Sequence, residues 1–188
     1  MKRATVLTAI LALAISSIAV SMAAGQATTA IADKPALLTS IGQSADLEMV
    51  KVLLGRGKIP FTADPLVKAS GLPGTAKTLI LSVGGSSKGL GAAGISSEDE
   101  ITRTKALVKR AKELGMKIIV IHVGGEARRG ALSDAFIELC VPAGDLVIVV
   151  ADGDKDGLFV KLASPTGIPV VKVEKITAAG APLAAAFK

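Results

Sequence analysis

The sequence predicts an α/β fold, a three-layer sandwich around a mostly parallel, doubly wound sheet of five to six strands. Three observations predict it. Runs rich in Val, Ile and Leu alternate with helix-like patterns from Ala36 to the C-terminus, as βαβ units require. Thr78–Val83, Met116–Val123 and Leu146–Ala151 are nearly continuous apolar runs, which suits strands covered on both faces. Two glycine-rich stretches, SVGGSSKGLGAAG (82–94) and HVGGEARRG (122–130), follow such runs, where an α/β sheet carries its ligand loops.

In chain order, Lys2 and Arg3 precede an apolar stretch from Ala4 to Val20, with small residues at Ser21, Ala23 and Ala24. This reads as an export signal. Cleavage fits after Ala23, Ala24 or Ala32, so residues 1–32 are taken as signal peptide and short linker, and 33–188 as one α/β domain. An uncleaved anchor is the alternative, since about twenty apolar residues span a bilayer. The Ala-, Ser- and Thr-rich run is weakly hydrophobic for that role, so no stable anchor is expected after cleavage. The mature chain is placed in the periplasm or outside the cell.

The strands are predicted at Ala36–Ile41, Ile59–Thr62, Thr78–Val83, Met116–Val123, Leu146–Ala151 and Ile168–Val173. The helices are predicted at Ala45–Leu54, Pro65–Ser70, Ser97–Leu114, Ala131–Cys140, Asp156–Ala163 and Thr177–Phe187. The winding is Rossmann-like or flavodoxin-like. Ser97 and Glu100 fit an S-x-x-E capping box, with Ile101, Val108, Ala111 and Leu114 as an apolar stripe and Gly115 as the stop.

Composition excludes several classes. The 156 residues after position 32 suit one core, and the single Cys140 allows no internal disulfide. Without Lys2 and Arg3, 20 basic residues face 16 acidic ones, a net charge of +4. That mild balance, no Trp or Tyr and only Phe61, Phe136, Phe159 and Phe187 as aromatics argue against nucleic-acid binding.

The stretch at 82–94 contains three known patterns. Gly89-Leu90-Gly91-Ala92-Ala93-Gly94 fits the dinucleotide fingerprint, but the capping box puts the next helix after Gly94, too far from Val83 for a tight strand-to-helix turn. Gly84–Gly89 begins like a P-loop, but Leu90 and Gly91 stand where Lys and Ser or Thr are needed. Gly85-Ser86-Ser87-Lys88-Gly89 fits a hydrolase elbow with Ser87 as nucleophile, His122 as base and Glu126 or Asp152 as orienting acid. Roughly ten loop residues between Ser87 and the next helix count against that elbow. A glycine-rich loop presenting N–H groups and a cation to an anion remains the leading reading.

HVGGEARRG points the same way, because Arg128 and Arg129 suit bidentate carboxylate or phosphate contacts. The expected ligand-binding set is Gly85, Ser86, Ser87, Lys88, Gly89, Gly91, His122, Gly125, Arg128 and Arg129. The segments GGSSKGLGAAGI, HVGGEARRG and GQSADLEMVKVLL also resemble an uncharacterised family of exported bacterial proteins, a domain of unknown function. The resemblance covers most of residues 36–186 and implies an exported Rossmann-like domain with no known substrate or activity.

One further pattern is Asp152-Gly153-Asp154-Lys155-Asp156-Gly157, the first half of a calcium loop. Ala163 occupies the twelfth position, where a bidentate glutamate belongs. Asp152, Asp154 and Asp156 are therefore the candidate metal ligands and calcium the one candidate ion, against a solvated turn; no other cofactor is expected. The reading overall is a non-enzymatic exported domain that binds a small anionic ligand or a partner's acidic group. A serine hydrolase using Ser87 and His122 and a structural or interaction module without a small-molecule site are the alternatives.

Overall fold

The computed structural model describes residues 29–188, so nearly all of the expected export signal lies outside the described residues. Six strands form one all-parallel sheet: β1 (Ala36–Ile41), β2 (Phe61–Ala63), β3 (Thr78–Val83), β4 (Lys117–His122), β5 (Leu146–Val150) and β6 (Val170–Val173). Their spatial order is β2-β1-β3-β4-β5-β6. The first five follow the flavodoxin-like order, with the winding reversing between β1 and β3.

Helices α1 (Asp46–Arg56) and α6 (Gly180–Ala185) cover one face. On the other lie α3 (Ser97–Glu113), α4 (Ala131–Cys140) and α5 (Leu158–Ala163), and α2 (Ser87–Ala93) sits at the carboxyl edge. Alternate strand residues feed two cores, which is the three-layer sandwich. Leu37, Leu79, Leu81, Val120 and Val147 join Phe136 and Phe159 on the α3–α4–α5 face. Leu38, Ile80, Ile119 and Ile148 join Leu47, Leu54 and Leu183 on the α1–α6 face. β1 and β3 are buried along their whole length, whereas the edge strands β2 and β6 are half-exposed.

Ala32 is fully buried and bridges to Phe187, so packing reaches back past the boundary expected at residue 33. Among the described residues, no helix is long and apolar enough to cross a membrane.

Four expectations are corrected. The helix expected at Pro65–Ser70 is absent, and only a 3-10 turn, Ala69–Gly71, lies there. The stretch 87–93 is helix α2, with Ser86 as N-cap accepting the Gly89 N–H at 3.0 Å and left-handed Gly94 ending it. Helix propensity is low for SKGLGAA, and tertiary contact overrides it: Leu90 is buried, and a Cβ at Gly89 would overlap the Gln43 carbonyl oxygen. The long spacer that counted against a strand-to-helix turn at Ser86–Ser87 is therefore not there.

The capping box of α3 is Ser96 with Asp99, one residue before the expected pair. The Ser96 hydroxyl holds the Asp99 carboxyl below its usual range. Glu100 is freed to turn inward, and the buried face of α3 is Glu100, Thr104, Leu107 and Ala111, while Leu114 is exposed. The C-terminal helix is broken into a 3-10 turn (Ile176–Ala179) and α6.

Candidate functional site

Four loops meet at the carboxyl edge of the sheet. The loops after β1 and β3 flank the reversal in winding, where such folds open a ligand crevice. Here they are laced together: the Gly84 N–H donates to the Ile41 carbonyl at 2.9 Å and the Ser86 N–H to the Gly42 carbonyl at 2.8 Å. Gln43, held at a left-handed φ of 56°, bridges antiparallel to Gly85.

Glu100 fixes this lacing from α3. Its fully buried carboxylate accepts from the Gly42 N–H (2.8 Å), Gln43 Nε2 (3.0 Å) and Arg103 Nε (2.7 Å) and Nη2 (2.8 Å). Burial pushes the Glu100 carboxyl up, but the Arg103 hydrogen bonds and charge, with the Gly42 N–H, hold it below its usual range. Arg103 also donates to the Val67 and Ser40 carbonyls. The centre of the crevice is thus occupied by the protein's own groups, and open space remains on either side of Ser86.

One groove, of about 330 Å³, lies between the start of α2 and the start of α4. Gly85, Ser86, Ser87, Arg128, Arg129 and Ser133 are among its lining residues. Arg128 crosses the edge of the sheet above Gly84 and Gly124, where a Cβ on either glycine would collide with Arg128 and Asp46. Its Nε lies 3.3 Å from Asp46 Oδ2, and both atoms are buried without a hydrogen-bond partner among the described residues. Gly130, at the N-cap of α4, supplies no side-chain cap.

Arg129 has a different role. It is bidentate to Asp134 (2.7 and 3.1 Å) and to Asp156 (3.0 and 2.8 Å), and donates to the Gly153 carbonyl. These bonds hold the Asp156 carboxyl down at about 2 and push the Arg129 guanidinium further up. Arg129 is a clamp between the β4 and β5 loops, with no free donor face comparable to that of Arg128.

The other expected residues are dispersed. His122 is fully buried; Nδ1 faces the Val83 carbonyl at 2.8 Å and Nε2 the Gly125 carbonyl at 3.2 Å. Its ring sits 5.3 Å from that of Phe159. Both nitrogens face main-chain carbonyls, of which a neutral ring can donate to only one, and neither is hydrogen-bonded to Ser87, which is exposed. Lys88 and Gly89 line a separate groove, and Gly91 faces open space on α2. Lys88, His122 and Arg128 do not share a pocket.

The cradle of N–H groups expected from Gly85 to Gly91 is largely consumed by the fold. Gly85 donates to Ser133 Oγ at 2.8 Å, Ser86 to Gly42, Gly89 to Ser86 Oγ and Leu90 to the Ser86 carbonyl.

The candidate metal ligands are likewise pulled apart. Buried Asp154 caps Phe159 N–H at 2.8 Å and pairs with Lys172 at 2.8 Å; Asp156 is held by Arg129, and Asp152 packs beside Gly125. No group of three or more His, Cys, Asp or Glu positioned for a metal occurs among the described residues. The loop is a βα turn stapled by ion pairs.

Sequence reasoning missed Asp46 and Ser133, gave Gln43 and Ser44 no individual role, and read Glu100 only as a cap. Asp46 and Ser44 carry the ordinary signal of a helix start, which says nothing of the arginine they meet across two loops.

A family model described as Domain of unknown function (DUF6305) matches residues 33–187, and the chain belongs to that family. No curated protein matches it. Among solved structures, a GDSL-like lipase from Bacteroides thetaiotaomicron is similar at 10% identity, over 73% of this chain and 66% of that one, with a TM-score of 0.33.

Proposed function

We propose that this member of an uncharacterised α/β family is an exported, non-enzymatic domain that binds a small anion, a phosphate or carboxylate group, in the groove between α2 and α4. The observation that carries the reading is Arg128. Its side chain is one-third exposed in a polar groove, its buried Nε faces Asp46 Oδ2 at 3.3 Å without a hydrogen bond, and its side chain makes no hydrogen bond among the described residues. An unsaturated planar fork of donors suits an oxyanion.

The hydroxyls of Ser86 and Ser87 and the uncapped first turn of α4 supply further donors on the same wall. Export is proposed from Lys2, Arg3 and the apolar run Ala4–Val20.

Thermal unfolding in the presence of inorganic phosphate or acetate tests the reading. At ligand concentrations a hundredfold above Kd the native state gains about 2.7 kcal/mol, and the resulting rise in Tm is expected to vanish in Arg128→Ala. No rise in wild type, or an equal rise in Arg128→Ala, would overturn it.

A further inference from the structure

On the other side of Ser86 lies a second groove, of about 480 Å³, between the start of α1, Pro65 and α2. Its floor contains Ser40, near the end of β1, which is only 1% exposed and whose Oγ has no hydrogen-bond partner among the described residues. Ser40 stands in register with Ser82 on β3, whose Oγ is orphaned in the same way. Buried hydroxyls are ordinarily satisfied, so an unpartnered one in the lining of an open groove points to a ligand atom.

The polar groups around it are donors. Lys88 is exposed at the rim of the groove and has no carboxylate within ion-pair distance among the described residues. Ser44 Oγ accepts from the Asp46 N–H at 3.3 Å, leaving its hydroxyl proton to donate, and Ser86 Oγ, which accepts from Gly89, is in the same position. The Gln43 amide nitrogen is committed to Pro65 and Glu100. The one carboxylate among the lining residues, Glu48, is paired with Lys51 at 2.9 Å. The rest of the wall is apolar: Leu47, Pro65, Ala45 and Ala92.

We infer that this groove is a binding site for a short-chain carboxylic acid, its carboxylate taken by the Ser40 hydroxyl and the Lys88 ammonium and its apolar chain laid along Leu47, Pro65 and Ala92. A lone inorganic anion leaves that apolar wall wet, whereas a neutral alcohol leaves Lys88 without a counter-charge. The site is separate from the Arg128 groove and stands or falls without it.

The test is a titration of the 15N-labelled full chain with hexanoate, followed by the amide resonances of Ser40, Ser44, Leu47 and Ala92. Saturable shifts are expected there, with hexanol binding about tenfold more weakly, as loss of one charge-assisted contact implies. Lys88→Ala, which removes an exposed side chain, is expected to weaken hexanoate by about tenfold. Ser40→Ala should weaken it too.

The proposal is overturned by unshifted amides, by hexanol binding as well as hexanoate, by undiminished affinity in Lys88→Ala, or by inorganic phosphate shifting these amides where hexanoate does not. Phosphate acting on Ala131–Ser133 reads out the Arg128 groove separately, so failure of either site is recognised on its own.

Discussion

Replacing Glu100 with alanine is expected to be among the most damaging single changes at the carboxyl edge. The side chain is fully buried and its carboxylate accepts four hydrogen bonds, two from Arg103, whose own side chain is only 10% exposed. Removing one partner of a buried pair leaves the other charge uncompensated, at about 3–5 kcal/mol. At about 2–4 °C per kcal/mol for a domain of this size, Tm should fall by about 6–20 °C.

The loss should be local as well as global. The Gly42 N–H loses its acceptor, so its hydrogen exchange should accelerate more than that of the β4 amides. Glu100→Gln keeps the shape but not the charge, and should fall between wild type and Glu100→Ala. The pH dependence follows from the lowered carboxyl: the stabilisation is fully present above the unfolded value of about 4.3 and is lost as pH drops through the lower folded value. A Glu100→Ala penalty under about 1 kcal/mol by urea unfolding, or one that persists unchanged in strong acid, would refute the reasoning.

Gly89→Ala should destabilise by about 1–3 kcal/mol, because the new methyl meets the Gln43 carbonyl. Gly91→Ala, on the same helix with open space around it, should instead stabilise by about 0.5–1 kcal/mol; chemical denaturation distinguishes the two. Asp156→Asn should lower stability near neutrality. Since Arg129 holds the Asp156 carboxyl at about 2 in the fold, the gap from wild type should close as pH falls from about 4 toward that value. Burial pushes the Cys140 thiol far up, so a thiol reagent should leave the native protein unmodified and react fully in guanidinium.

Much of the architecture was legible in the residues. Ala36–Ile41 and Thr78–Val83 fall where the apolar patterns put them, because strands covered on both faces must be largely apolar, and Ala131–Cys140 falls where a helical pattern put it. Helix α2 was not legible: a seven-residue segment with two glycines forms only because Leu90 is buried and Gly89 abuts Gln43. The α3 cap was ambiguous because Ser96–Asp99 and Ser97–Glu100 both fit the box, and the buried pairing of Glu100 with Arg103, not the local pattern, decides between them.

The sequence by itself determined the layered α/β class, most strand positions and the loops that crowd one sheet edge, since periodicity and turn chemistry act over a few residues. Tertiary structure alone decided which cations are free. Arg128 and Arg129 are adjacent and chemically identical, yet among the described residues Arg129 is saturated by Asp134 and Asp156 while Arg128 pairs with Asp46 alone. Lys88 was likewise sent to the opposite side of Ser86 from both arginines. Charge pairing depends on groups brought together from α1, α4 and the β5 loop, and spacing along the chain carries no record of those distances.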